Sequence, residues 1–177
     1  MDQALALQLV EYTDALAPDF ARINREWIEA MYTMEPHDHE VLDDPRTHIV
    51  DRGGTILFVR APGIGIVGAC ALMRIEDGVF ELTKMGVLLS ARGRKAGEFL
   101  LAATIERAQK MPIETLFLLT NRNSQAAIHL YEKVGFLHDP AIMARYGSLY
   151  SRCNVAMSFP IATARDQEKP LAIAGEG

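Results

Sequence analysis

Hydrophobic positions along the chain change period several times, and each change marks an element. Leu5-Ala6-Leu7-Gln8-Leu9-Val10 reads as a first strand. Pro18 opens a helical stretch through Ala30, in which Phe20, Ile23, Trp27, Ala30 and Met31 recur at helical spacing. The polar segment from Met34 to Arg46 is punctuated by Pro36 and Pro45 and predicts a short helix starting near Asp38, a competent N-cap residue. After the Gly53-Gly54 turn come two strands, Thr55–Arg60 and Ile66–Ile75, divided by Pro62-Gly63. Asp77-Gly78 is the next hairpin signal, and Val79–Leu89 the next strand. Gly86 inside that strand marks a bulge or a close backbone approach.

The second half alternates strand and helix. Ala96–Lys110 predicts a helix with Leu101, Ile105 and Ala108 on one face and a Glu106–Lys110 pair on the other; Pro112 ends it. Ile113–Thr120 is a buried-looking strand. Ser124–Val134 is a helix whose Ala127, Leu130, Tyr131 and Val134 share a face, and Gly135 closes it as a C-cap. Phe136-Leu137 starts another strand, and Cys153–Ile161 makes the last. Antiparallel hairpins followed by two strand–helix–strand units predict a mixed α/β architecture, a sheet with helices on both faces. Residues 1–161 form one expected domain, and 162–177 read as a loose, flexible tail.

Composition narrows the function classes. Hydrophobic residues are 49% and charged residues 23% of 177, which argues against wholesale disorder. No apolar run reaches the ~18 residues of a membrane span, and the start lacks a basic signal-peptide region, so the expected location is the cytoplasm and no membrane partner is expected. Eighteen basic against 23 acidic residues give a net charge of −5, which argues against nucleic-acid binding. Two cysteines, Cys70 and Cys153, are too few for a disulfide scaffold, and both sit in apolar stretches as buried thiols.

The segment from Val87 to Gly97 carries the first chemical signal. A strand ends, a turn holds Gly93 and Gly97 with Arg92, Arg94 and Lys95, and a helix begins at Ala96. A helix start leaves backbone N–H groups unpaired, and glycines let an anion approach them, so the geometry suits a phosphate or pyrophosphate. A solvated basic turn is the alternative. The spacing is not that of a P-loop, and G-x-G-x-x-G is absent. Glu35-Pro36-His37-Asp38-His39-Glu40 invites a metal reading, but no companion pair stands at an established spacing; a solvated loop capped by Asp38 is favoured, and no metal is expected.

With Thr120-Asn121-Arg122-Asn123-Ser124 leading into Ala127-Ile128-His129-Leu130-Tyr131-Glu132-Lys133-Val134-Gly135-Phe136, the chain resembles, over roughly Leu5 to Phe159 in element order and most strongly from Glu81 to Phe136, the GNAT superfamily of acetyl-CoA-dependent N-acetyltransferases. Its A-I-x-L-Y-E-K-x-G-F signature is met by Ala127-Ile128-His129-Leu130-Tyr131-Glu132-Lys133-Val134-Gly135-Phe136. The family's [QR]-x-x-G-x-[GA] turn maps onto Arg92-Gly93-Arg94-Lys95-Ala96-Gly97, with Lys95 where the middle glycine is usual. Glu81-Leu82-Thr83-Lys84-Met85 and Arg152-Cys153-Asn154-Val155-Ala156-Met157 also look similar to members of the family.

The resemblance implies a mostly antiparallel sheet with two central parallel strands, here Val79–Leu89 and Ile113–Thr120, splayed around acetyl-CoA as the acetyl donor. It implies pantetheine pairing near Val87 and Leu89, with a bulge at Gly86 aiming an N–H at the thioester carbonyl. Pyrophosphate would sit on Arg92, Gly93, Arg94, Lys95, Ala96 and Gly97, and Asn121 or Asn123 would reach the pantetheine. For either asparagine, turn chemistry is an equal reading. Tyr131 is implied as the acid that protonates the departing thiolate, with core packing as the alternative. Glu81, a carboxylate in an apolar strand, is the candidate base; a buried ion pair with Lys84 or an arginine is the alternative. Trp27, Met31, His37 and Asp38 are candidates for the side that binds a small-molecule or peptide amine, with core packing the alternative for Trp27 and helix capping for Asp38, and a homodimer remains open. The expected reaction is direct attack, because neither cysteine has a histidine near it in sequence. A non-catalytic acyl-CoA-binding module on the same fold is the second reading.

Overall fold

A computed structural model describes residues 6–162 of the chain. Leu5, where the first strand was expected to begin, and the expected tail beyond Ala162 lie outside the described residues. Seven strands form one sheet in the order β1-β2-β3-β4-β5-β7-β6. They are β1 (Gln8–Glu11), β2 (Thr55–Ala61), β3 (Gly65–Glu76), β4 (Val79–Val87), β5 (Thr115–Thr120), β6 (Leu137–His138) and β7 (Val155–Phe159). The helices are α1 (Ala17–Met31), α2 (Pro36–Asp43), α3 (Ala96–Gln109), α4 (Gln125–Val134) and α5 (Pro140–Tyr146). Only β4 and β5 pair in parallel, across the α3 crossover; every other strand pair is antiparallel. The expected second strand–helix–strand unit is therefore not a parallel one, because β6 leaves β5 and joins β7.

Two apolar cores sandwich the sheet. Leu57, Cys70, Leu72, Phe80 and Leu82 pack under α3 and α4, against Leu100, Leu101, Ile105 and Ile128. On the other face Phe58, Ala69, Ala71 and Met73 meet Phe20, Ile23 and Ile28 of α1 and Leu42 of α2. At the far end Phe117 stacks on Tyr146 of α5, with ring centroids 4.7 Å apart. Helix α5 was missed from sequence, although Asp139-Pro140 announces it: Asp139 caps the helix by accepting the Ile142 N–H, and Pro140 sits in the first turn.

The register of β4 positions the site. Its pairing with β5 covers Val79↔Thr115, Phe80↔Leu116 and Glu81↔Phe117 and then stops. Beyond Glu81, β4 stays bonded to β3 as far as Val87↔Gly68, while β5 stays bonded to β7 as far as Thr120↔Val155. Each strand follows its outer neighbour, and the sheet opens between them. The pairs Ala71↔Thr83 and Ala69↔Gly86 leave Lys84 and Met85 opposite Cys70 alone, which defines a bulge. Lys84 has φ +51°, in the left-handed region. The bulge thus lies just before Gly86 rather than at it. Gly86 serves the close approach instead, since a Cβ there would fall 2.4 Å from Trp27 Cδ1.

Candidate active site

The opening between β4 and β5 is a cleft of about 580 Å³ lined by residues from both strands, α1, α4 and the segment around Tyr150–Cys153. Of the sequence candidates it gathers Trp27, Met31, Glu81, Val87, Arg92, Gly93, Asn121, Asn123 and Tyr131. Leu89, His37, Asp38, Arg94, Lys95, Ala96 and Gly97 are not among its lining residues.

The mouth lies at the start of α3. Gly93 (φ +83°) and Lys95 (φ +59°) both take left-handed backbone, so Lys95 adopts the conformation that a glycine would adopt more cheaply. Arg92, Arg94 and Lys95 are exposed. No side chain caps α3, and its first intrahelical bond runs from Phe99 N–H to Lys95 O, so the N–H groups of Ala96, Gly97 and Glu98 stand ahead of the ladder. A Cβ on Gly97 would meet its nearest neighbours, Leu130 and Val87, at 3.8 Å, which is ordinary contact. Leu89 falls in a short turn, because β4 ends at Val87, and its N–H is donated to Glu26 Oε1 at 2.8 Å. Asn121 braces the end of β5: its amide donates to Arg152 O at 2.7 Å and its Oδ1 accepts the Asn123 N–H at 2.8 Å.

Tyr131 and Glu81 flank the cleft from opposite faces. Tyr131, half-buried on α4, packs against the α3–α4 core with its ring edge-on to Phe136. Burial raises its phenol well above the ordinary value, so it keeps its proton throughout the neutral range. Phe80 and Leu82 point to that same core, so pleating turns Glu81 toward α1 and α2. Glu81 is 1% exposed, and its Oε2 has no hydrogen-bond partner among the described residues. Burial pushes its carboxyl up to about 7, against the lowering influence of the Lys84 charge.

Lys84 does not pair with Glu81. Its Nζ reaches Asp38 Oδ1 at 2.7 Å, both side chains fully buried. Arg152 holds the same carboxylate by two bonds, 2.5 and 2.8 Å, and reaches Glu35 Oε2 at 3.1 Å. Asp38 also accepts the Glu35 N–H at 2.9 Å. Glu35, not Asp38, is the N-cap of α2, and Asp38 completes a capping box from the third helical position. Burial disfavours the Asp38 anion, but the Arg152 bonds and the Lys84 charge overcome it and hold the carboxyl well below the usual range. This acid is committed inside the protein and is not free to bind an ammonium group. His37 stands behind the wall, its ring 5.2 Å from that of Tyr150, and burial lowers its pKa.

Tyr32, Lys84, Tyr150 and Arg152 are site residues that sequence reasoning did not select. Tyr150 is buried, and its Oη lies 3.2 Å from Lys84 Nζ. Tyr32, just past α1, hydrogen-bonds Ser124 at the start of α4 at 2.7 Å, bridging the two sides of the opening. Cys153 lines the cleft and is only partly buried, contrary to expectation, whereas Cys70 is fully buried. Burial raises both thiols to about 12, so neither is a ready nucleophile.

The sequence profile of the acetyltransferase (GNAT) family matches residues 12–136, more than half of the chain. The chain belongs to that family and is an acyltransferase. Among solved structures it is similar to a GNAT acetyltransferase of Staphylococcus aureus MU50, at TM-score 0.76 and 19% identity, covering 89% of this chain and all of that one. An acetyltransferase of Streptococcus agalactiae 2603 follows at TM-score 0.73 and 17% identity, covering 90% of this chain and 100% of the other. The PaiA N-acetyltransferase of Thermoplasma acidophilum, solved with coenzyme A, superimposes at TM-score 0.62 and 15% identity, covering 87% and 98% of the two chains. No curated protein sequence matches the chain.

Proposed function

We propose that the protein transfers the acetyl group of acetyl-CoA to a primary amine by direct attack. The observation that carries this reading is the opening of the sheet beyond Glu81↔Phe117, with a protonated phenol on one face and, on the other, a buried carboxyl whose Oε2 has no hydrogen-bond partner among the described residues. The residues present fit an acyl-CoA. The left-handed turn at Gly93 and Lys95, the uncapped start of α3 and the Arg92 side chain suit a pyrophosphate. The edge of β4 from Leu82 to Val87 lacks a strand partner on its β5 side and can receive an amide-bearing arm as an added strand. The bulge at Lys84–Met85 turns backbone N–H groups out of the ladder, where one can stabilise charge on a thioester oxygen.

In this reading Glu81 accepts the ammonium proton, directly or through water, and the free amine attacks the acetyl carbonyl. The carbon–nitrogen bond forms as the carbon–sulfur bond breaks, Tyr131 supplies the proton to the departing thiolate, and the second proton that the nitrogen sheds on becoming an amide passes through water to restore the phenol. With both thiols raised to about 12, an acetyl-cysteine intermediate is disfavoured. Initial rates of thiol release, with acetyl-CoA and amine varied together, test the order of events. Intersecting double-reciprocal lines are expected; parallel lines would indicate an acetyl-enzyme and overturn direct attack. Thermal stabilisation by coenzyme A with no turnover on any amine would favour a non-catalytic binding module.

A further inference from the structure

Resting on that reading, we infer that the acceptor is a monoamine with an apolar or aromatic body, not a polyamine and not an amino acid. The wall that faces Glu81 is built from Trp27, Met31, Tyr32, Tyr150 and Arg152. Nearly every polar tip on it is already committed inside the protein. Trp27 Nε1 donates to Asn24 Oδ1 at 2.9 Å, so its ring offers the cleft only apolar surface. The Tyr32 hydroxyl is bound to Ser124 at 2.7 Å, and the Tyr150 hydroxyl accepts from Lys84 at 3.2 Å. Met31 is 50% exposed, a large side chain without a polar group beside this wall.

The cations are equally occupied. Lys84 is held by Asp38, and Arg152 by Asp38 and Glu35, so two positive charges meet two negative ones. Both cations also lie over aromatic rings: Lys84 Nζ is 4.6 Å from the Tyr150 centroid, and the Arg152 guanidinium is 4.8 Å from Tyr150 and 5.9 Å from Tyr32. An acceptor carboxylate would meet a guanidinium that already spends three of its five N–H donors on Asp38 and Glu35, its charge offset by both anions. A second ammonium group would find no anion, since Glu81 is the one lining carboxylate among the described residues. Apart from neutral side chains such as Thr83, Thr120 and Gln125, what remains for recognition is Glu81 for the amine and ring and thioether surface for the body, which suits an aryl- or alkyl-substituted monoamine.

The test uses the full chain with saturating acetyl-CoA and follows thiol release with 2-phenylethylamine, tryptamine, spermidine and glutamate. The two aromatic amines are expected to exceed spermidine and glutamate in kcat/KM by about 100-fold or more. Met31→Ala is expected to raise KM for the aromatic amines roughly 3–10-fold with kcat little changed. Met31→Glu, which adds an anion to an exposed position, is expected to lower aromatic-amine turnover and raise that of spermidine. Spermidine or glutamate matching or exceeding the aromatic amines in the unaltered protein would overturn the inference while leaving acetyl transfer to amines standing. Coenzyme A binding without turnover on any of the four would overturn both.

Discussion

On the α3–α4 side of the cleft, the groups proposed for the acyl donor are largely backbone and come from β4, the turn that follows it and one helix: the edge of β4, the turn from Arg92 to Gly97 and one phenol, Tyr131 of α4. On the α1–α2 side, the wall is made of side chains drawn from four distant stretches: Trp27 to Tyr32, Asp38, Lys84 and Tyr150 to Arg152. The first side exposes its cations to solvent, and the second buries them against Asp38. Backbone donors and exposed arginines suit an anion of fixed shape, whatever is attached to it. A wall whose charges cancel internally discriminates by shape and apolar surface, and is sensitive to loss of any one member.

The largest expected effect separates the two sides by chemistry. Tyr131→Phe keeps the ring against Phe136 and removes only the hydroxyl. Turnover is expected to fall roughly 10²–10⁴-fold, in kcat, with acetyl-CoA affinity little changed. A stable variant keeping more than about a third of the original kcat would leave Tyr131 a packing residue. Next, Asp38→Asn strikes the buried wall. It strips Lys84 and Arg152 of their shared anion, and unfolding in urea should reveal a loss of about 3–5 kcal/mol. A loss below ~1 kcal/mol would show that the buried cluster contributes little to stability. The smallest effect belongs to the exposed side. Arg92→Ala should weaken acetyl-CoA binding by about 1.5–3 kcal/mol without altering stability. Calorimetric titration checks this, and unchanged affinity would remove Arg92 from the phosphate site.

The same contrast explains what was legible in the sequence. The α3 turn and the Tyr131 helix are local, so periodicity, glycines and a signature segment located them from adjacent residues. The parallel β4–β5 pair was implied by the family resemblance, and the strand order around α3 agrees with it. The wall facing Glu81 has no such contiguous signal. Asp38 read as a helix cap, and it is part of a capping box, yet its partnership with Lys84 and Arg152 depends on residues 46 and 114 positions away. Tyr150 stood in a segment with no assigned element, where only the fold reveals its burial. The boundary of β4 was misplaced for a related reason. Val87, Leu88 and Leu89 are all apolar and pattern alone extends the strand, but the Leu89 N–H turns away to Glu26, a residue of α1.

In the proposed reaction Glu81, raised to about 7 by burial, is the base for an amine that attacks directly. A raised carboxyl is protonated at low pH and becomes competent as pH rises through that value. Ionising it also costs the folded state stability, which therefore falls between the unfolded value near 4.5 and about 7. The direct measurement is the pH profile of kcat/KM for wild type and Glu81→Gln, with melting curves at each pH. If Glu81 is that base, the wild-type acid limb bends near 7, the Glu81→Gln rate is lower by ~10² or more with that limb gone, and the variant melts no lower than wild type at about pH 8. A stable Glu81→Gln that keeps both the rate and the limb would contradict it.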